Sequence, residues 1–312
     1  MTCGVMTMKA VRIHEYGGPD KLQLDDDVPE PVIGPHSVLI EAVAAGVNPI
    51  DWKVRSGSRQ KDMLMTLPGI LGRDVSGVVQ HVGAEVATFK AGDRVLAMTH
   101  ATYAELVAVD ESLVTRLPDG LTLVDAAAIP LATLTGDQLV RRATAVQPGQ
   151  TLVVTGALGS VGRAALHSAM KMGVHAIAGV RSRQLAEAES LHAAAVLAID
   201  DEQALAGLES VDAVADTVGG LTAAKLLAKV KPGGSFGYAS MLPEGAAEQH
   251  ANVRIKRVLA VAEPSTVREY AEDILEGHFV LPIGRRLALR DAAQAHLLGE
   301  RGGVGKIVLI AR

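Results

Sequence analysis

The chain has 312 residues, a formal net charge of −5 at neutral pH, 48% hydrophobic residues and only 3% aromatic ones. That length accommodates two ordinary domains, and the lack of a basic block gives no sign of a nucleic-acid partner. The single cysteine, Cys3, excludes an intrachain disulfide and a cysteine-built metal cluster and suits a reducing cytosol, while no apolar run approaches the roughly 18 residues that a membrane span requires.

The opening MTCGVMTM has neither a charged region nor a long apolar one, so a short extension before a first strand at Met8 is expected, not a signal peptide. Lys9 to His14 alternates as a strand does, and Tyr16-Gly17-Gly18-Pro19 turns it. After the proline-rich connector Pro29–Pro35, Ser37–Val47 reads as one long strand or a pair. A loop with a short helical piece follows at Gly46–Gly57. Leu67–Val79 holds several glycines and then a strand, Gly92-Asp93-Arg94-Val95 is a turn into another, and Tyr103–Val109 is strand-like. Short strands with Gly and Pro punctuation predict a small irregular barrel for this first third.

Near Pro118 the pattern changes. Asp125–Arg142 is helical in period, with a kink expected at Pro130. From Thr151 strands and helices alternate. The expected strands are Thr151–Thr155, His175–Val180, Ala195–Ile199, Ala213–Val218 and Ser235–Ala239. The expected helices are Ser160–Met172, Ser182–His192, Glu202–Leu208 and Leu221–Val230. Apolar strands without alternation, separated by helices, predict a parallel sheet covered on both faces. In the tail, Ser265–Glu276 and Leu287–Leu298 read as helices and Gly305–Ile310 as a last strand.

The stretch Thr151–Gly162, TLVVTGALGSVG, organises the chain. Gly156, Gly159 and Gly162 follow a buried strand and lead into an Ala-rich helix, a variant of the dinucleotide fingerprint. Glycines let a pyrophosphate approach the backbone, and the first free N–H groups of the helix, at Ser160, Val161 and Gly162, point at it. The plain alternative is a tight connection with no ligand. After the second strand of this region comes Arg181-Ser182-Arg183, with no acid nearby in sequence. An acid at that place favours NAD, whereas arginine accommodates the 2′-phosphate of NADP, so NADPH is the expected cofactor.

Several segments in one order then carry a resemblance. They are MKAVRIHEYGGPDKL, AGVNPIDWKVRSG, PGILGRDVSGVV, GDRV, the Ile129–Gly136 stretch, TGALGSVG, DTVGG at Asp216–Gly220 and the closing GKIVL. Together they resemble the medium-chain dehydrogenase/reductase superfamily, specifically its zinc-free quinone oxidoreductase branch, over nearly the whole chain. The resemblance implies an α/β architecture in which a β-rich GroES-like catalytic domain (1–124 and 265–312) surrounds a Rossmann dinucleotide-binding domain with a parallel sheet (125–264). It also implies a homodimer, and the single cysteine makes the cytoplasm the expected location.

Zinc enzymes of this superfamily carry a cysteine and a Gly-His-Glu motif at places that correspond here to Val47-Asn48-Pro49 and Gly72-Arg73-Asp74. Those ligands are missing and the ten histidines are scattered, so no metal is expected. By resemblance, Asn48 and Asp51 lie near the nicotinamide and substrate, although Asp51 also reads as a helix N-cap before Trp52. Lys53 stands where some quinone oxidoreductases have a tyrosine; it is either a donor to a substrate carbonyl or a solvated lysine. Thr135 is placed toward the nicotinamide, and Ala239 and Ser240 at the carboxyl edge of the sheet. Lys306 is placed at the cofactor phosphates or on the surface of the last strand. Tyr103 is expected to pack in its strand.

The implied reaction is hydride transfer from NADPH to a quinone, with an enone or enoyl reductase as the nearer alternative and a non-catalytic NADPH sensor as one of another class. A short-chain dehydrogenase needs Tyr-x-x-x-Lys, and Tyr16, Tyr103, Tyr238 and Tyr270 all lack the lysine.

Overall fold

In the first third SVLIEAVAAGV, rich in β-branched and small apolar residues, forms an eleven-residue strand that is buried over most of its length. The computed structural model describes residues 6–312; Cys3 lies outside the described residues. Two units are distinguished, one comprising the chain up to Leu131 together with Ala262–Arg312, the other Ala132–Val261.

In the first unit β1 (Thr7–Ile13), β2 (Leu22–Pro29) and β3 (Ser37–Val47) precede the short helix α1 (Pro49–Arg55). Then come β4 (Gly69–Ile70), β5 (Asp74–Val82), β6 (Arg94–Met98), β7 (Leu106–Asp110), β8 (Val114–Arg116) and α2 (Leu123–Ala126). Strand β3 pairs antiparallel with β5, β7 and a C-terminal strand, while β2, β1 and β4 form a separate three-stranded sheet.

Helix α3 (Pro130–Gln138) leads into the second unit, whose elements are β9 (Thr151–Thr155), α4 (Ser160–Lys171), β10 (His175–Val180), α5 (Leu185–Ala188), β11 (Ala195–Ala198) and α6 (Glu202–Gly207). They continue with β12 (Val211–Asp216), α7 (Gly220–Leu227), β13 (Val230–Tyr238) and β14 (Arg254–Arg257). All six strands run parallel in the order β11-β10-β9-β12-β13-β14. Leu152 and Val154 pack into one apolar cluster and Val153 into another, so the central strand is buried on both faces.

The tail returns to the first unit with α8 (Pro264–Leu275), β15 (Ile283–Ala288), α9 (Ala292–Arg301) and β16 (Lys306–Ile310). Strand β16 pairs with β3, placing Val308 opposite Gly46, and β15 runs parallel to β16.

Three local expectations are corrected, and one strand was not expected. Residues expected as one helix over Leu287–Leu298 end β15, make a 3-10 turn and then begin α9; pairing with β16 satisfies the Ile283–Ala288 backbone in extended form. Pro130 does not kink a helix but starts one, where its missing N–H costs nothing. Ser182–His192 is not a continuous helix but 3-10 turns around the single α-turn of α5. Strand β14 escaped the pattern because RIKR is polar, as suits an exposed sheet edge.

Candidate active site

Strand register brings the polar groups of the first unit together. Gly46 of β3 lies opposite Asp74, the first residue of β5, and also opposite Val308, two residues into β16. Asn48, Asp74 and Lys306 are therefore strand-end neighbours, and all three are buried. The Lys306 ammonium donates to Asn48 Oδ1 at 2.5 Å and to Asp74 Oδ2 at 3.3 Å. Asn48 Nδ2 donates to the same Asp74 oxygen at 2.8 Å, and the Leu131 N–H donates to Asp74 Oδ1 at 2.7 Å. A buried ion pair is sustained only when its remaining hydrogen-bonding capacity is met, and here the neutral amide of Asn48 and a backbone N–H meet it.

Asn48 occupies the N-cap position of α1 in extended conformation (φ −132°, ψ 155°), with Pro49 as the first helical residue. Asp51, three residues on, is not itself the cap as expected; its Oδ2 reaches back to accept the Asn48 N–H at 2.8 Å. The same oxygen accepts the Tyr103 hydroxyl at 2.9 Å. Tyr103 Oη lies 3.1 Å from His296 Nε2 on α9, and His296 Nδ1 lies 3.1 Å from Arg55 Nη1. Arg55 Nη2 closes the row with a 2.5 Å ion pair to Glu300. Arginine only donates, so His296 Nδ1 accepts and its Nε2–H donates to Tyr103. From Arg55 Nη1 through His296 and Tyr103, each hydrogen thus points toward Asp51.

Burial dominates the proton affinities. It pushes Asp51 up to about 7, against the lowering effect of the Asn48 N–H and the Tyr103 hydroxyl. Burial and then the Arg55 charge push His296 down to about 3, so it is neutral. Burial and the Asp51 charge raise Tyr103 well above its ordinary value. The site therefore holds a carboxyl that exchanges its proton near neutrality beside a tyrosine that keeps its own.

In the second unit β9 ends at Thr155, Gly156 turns with φ +61°, and α4 starts after Gly159. A Cβ on Gly162 would sit 2.2 Å from the Gly156 carbonyl oxygen, so the strand and helix approach as closely as they do only with glycine there. The first intrahelical bond is from Arg163 N to Gly159 O at 2.8 Å; the Ser160, Val161 and Gly162 amides precede it and open the helix end as an anion cradle. This turn fits a dinucleotide pyrophosphate. Asp216, fully buried at the end of β12, binds the turn to its neighbours, accepting from Thr155 Oγ1 at 2.7 Å and Ser240 Oγ at 2.6 Å. Ala239 N donates to the Asp216 carbonyl at 2.9 Å, and Thr135 is half-buried on α3. Arg181, Ser182 and Arg183 are exposed after β10.

Two expectations need correction here. An acid does stand beside the arginines: Asp200 Oδ1 accepts both the Ser182 N–H and its hydroxyl at 2.7 Å. It was invisible in sequence because parallel pairing of β10 with β11, Val180 opposite Ala198, brings it across from the loop. Lys306 does not cover the surface of the last strand; its ammonium is turned into the Asn48–Asp74 cluster. Lys53 is half-buried on α1, outside the hydrogen bonds of that cluster described above. Tyr103 does pack, fully buried, but just ahead of β7 and with its hydroxyl at work. Sequence reading did not bring Arg55 and His296 to Tyr103 and Asp51; the contacts join segments far apart in the chain, so no local pattern announces them.

Comparison with known proteins agrees with this architecture. The family model described as alcohol dehydrogenase GroES-like domain matches residues 34–119, and the one described as zinc-binding dehydrogenase matches residues 191–309. A quinone oxidoreductase of Pseudomonas aeruginosa is 33% identical over 97% of this chain and 99% of its own length. The structure of the quinone oxidoreductase from Coxiella burnetii superposes with a TM-score of 0.89 at 28% identity, covering 98% of this chain and 100% of that one. A mycobacterial protein solved in complex with NADPH superposes with a TM-score of 0.82 at 29% identity, covering 97% and 99%.

A GroES-like unit, a parallel nucleotide-binding sheet and these likenesses define an NAD(P)-dependent oxidoreductase. The chain belongs to the medium-chain dehydrogenase/reductase superfamily, among its quinone oxidoreductase-like members. Membership sets aside the non-catalytic sensor.

Proposed function

We propose that this oxidoreductase is a metal-free, NADPH-dependent quinone reductase. The observation that carries the metal-free reading is the chemistry of the donor positions. Asn48 is bonded to Lys306 and Asp74, and Arg73 donates to the Thr99 carbonyl at 2.9 Å. An amide and a guanidinium stand where zinc enzymes of the superfamily have cysteine and histidine, and neither is a zinc ligand type. Among the described residues one group of three carboxylate and imidazole donors lies together, Asp273, Glu276 and His278, and it is largely exposed.

The bound cofactor supplies a hydride from its nicotinamide. The Gly156–Gly162 turn, the α4 N-terminus and the Arg181 and Arg183 side chains bind its phosphates; Thr135, Ala239 and Ser240 flank it. Asn48 and Asp51 orient the acceptor, and Asp51 holds a proton on its carboxyl near neutral pH. Lys53 in place of a tyrosine favours, as the second reading, an enone or enoyl acceptor. We place the enzyme in the cytosol as a homodimer, by resemblance, with the exposed β14 edge as a pairing surface; no described helix is long and apolar enough to cross a membrane.

The test is loss of reduced-nicotinamide absorbance by chelator-treated protein with a benzoquinone, a naphthoquinone, an enone and an aldehyde. Fastest NADPH oxidation with a quinone, unaffected by chelation, is expected. Preference for the enone moves the acceptor to the second reading. Activity that is lost on chelation and restored by zinc overturns the metal-free assignment.

A further inference from the structure

Two consecutive aspartates follow β11 and do different work. Asp201 caps α6, its Oδ1 accepting from the Gln203 N–H at 2.8 Å and the Ala204 N–H at 3.1 Å. Asp200 turns the other way. Its Oδ1 takes both hydrogen-bond donors of Ser182, backbone and hydroxyl, each at 2.7 Å. Those are the donors that a phosphate between Arg181 and Arg183 would use, and an internal carboxylate holds them. The Ser182 hydroxyl and N–H, followed by the nearby Arg181 charge, keep Asp200 below the usual carboxylate range, so it is ionised at neutral pH.

We propose that Asp200 is the specificity-determining residue of the adenosine end of the cofactor site: its carboxylate opposes the 2′-phosphate of NADPH and so limits the preference that Arg181 and Arg183 create. This rests on the nicotinamide-cofactor reading above. A dianionic phosphate at Ser182 must displace Asp200 from its donors or sit beside its negative charge, whereas the uncharged ribose 2′-hydroxyl of NADH does neither and can donate to the carboxylate. The loop is a balance of two cations and one anion, not the purely cationic clamp that Arg181-Ser182-Arg183 suggests in sequence.

The test is Asp200→Asn in the full-length enzyme, read by fluorescence titration with NADPH and NADH and by competition with 2′,5′-ADP against 5′-AMP. The amide oxygen still accepts from Ser182, so the substitution removes charge and keeps the bond. The expected result is a roughly tenfold rise in the NADPH-to-NADH affinity ratio, with a matching gain for 2′,5′-ADP over 5′-AMP, as expected for removing one exposed charge from beside a dianion. Asp200→Ala separates bracing from charge: if Asp200 only holds the loop, Asp200→Ala weakens NADPH and NADH together, Asp200→Asn weakens neither, and the ratio stays constant in both, which overturns the proposal. Wild-type protein that binds neither dinucleotide overturns the cofactor reading instead, a result distinct from an unchanged ratio.

Discussion

Tyr103 donates its phenolic hydrogen to Oδ2 of Asp51 across 2.9 Å, and the two residues come from segments 52 positions apart. The tyrosine is fully buried and the aspartate nearly so. Behind Tyr103 stand His296 and Arg55, each donating toward the carboxyl. Such an oriented row stabilises the charged form of Asp51 and offsets part of what burial costs it.

Tyr103→Phe removes the donor to Asp51 and the acceptor of His296 while leaving the ring in place. It is expected to lower stability by about 1–3 kcal/mol, the cost of leaving buried polar groups unsatisfied, and to move the Asp51 midpoint upward. Urea titration reads the first effect and a pH–rate profile the second. A profile that does not move shows that Tyr103 does not influence the Asp51 proton.

Asp51→Asn is expected to change how stability depends on pH. In the folded protein Asp51 titrates at about 7, above its unfolded value of 3.8, so between those limits the folded state binds more protons and stability falls as pH rises. His296 works oppositely: lowered from 6.5 to about 3, it leaves the unfolded state with more protons in that range, so its contribution rises with pH there. Above the histidine range Asp51 alone remains. Melting temperatures between pH 6.5 and 8 should therefore show wild type losing stability relative to Asp51→Asn; parallel curves would contradict a raised Asp51 proton affinity.

Gly162→Ala places a methyl group 2.2 Å from the Gly156 carbonyl. The turn must open to admit it, shifting the α4 amides from a bound pyrophosphate. Dinucleotide affinity is expected to fall at least about tenfold, as the loss of one or two charge-assisted hydrogen bonds implies. Fluorescence titration measures this, with circular dichroism to establish that the variant is folded. Unchanged affinity would remove the turn from the cofactor site.

Arg181→Ala is expected to raise the KM for NADPH by about tenfold and to change that for NADH by less than about twofold, because only the former carries a 2′-phosphate for the guanidinium. Steady-state kinetics with both cofactors decides it. Equal losses would mean that Arg181 serves the fold, not the phosphate.

The alternation of strand and helix after Thr151 was legible because each element announces itself locally. Thr151–Thr155 and His175–Val180 are short apolar runs ending in glycine or charge, and both match the observed strands. The glycine turn was equally plain, since positive φ at Gly156 and close packing at Gly162 are demands that residue type alone reveals. Local reading failed where partners decide the conformation. Ile283–Ala288 is strand only because β16 lies beside it, and RIKR only because β13 does.

The amino-acid sequence by itself determined the class of architecture, the position of the dinucleotide turn and the missing zinc ligand types, all carried by residue identity within a few neighbours. Tertiary structure alone decided the polar chemistry. His296 meets Tyr103 across 193 positions, Lys306 meets Asn48 across 258, and Asp200 meets Ser182 across 18. These meetings follow from strand register and helix docking, in which a side chain's partner is set by which backbones pair, not by its place along the chain.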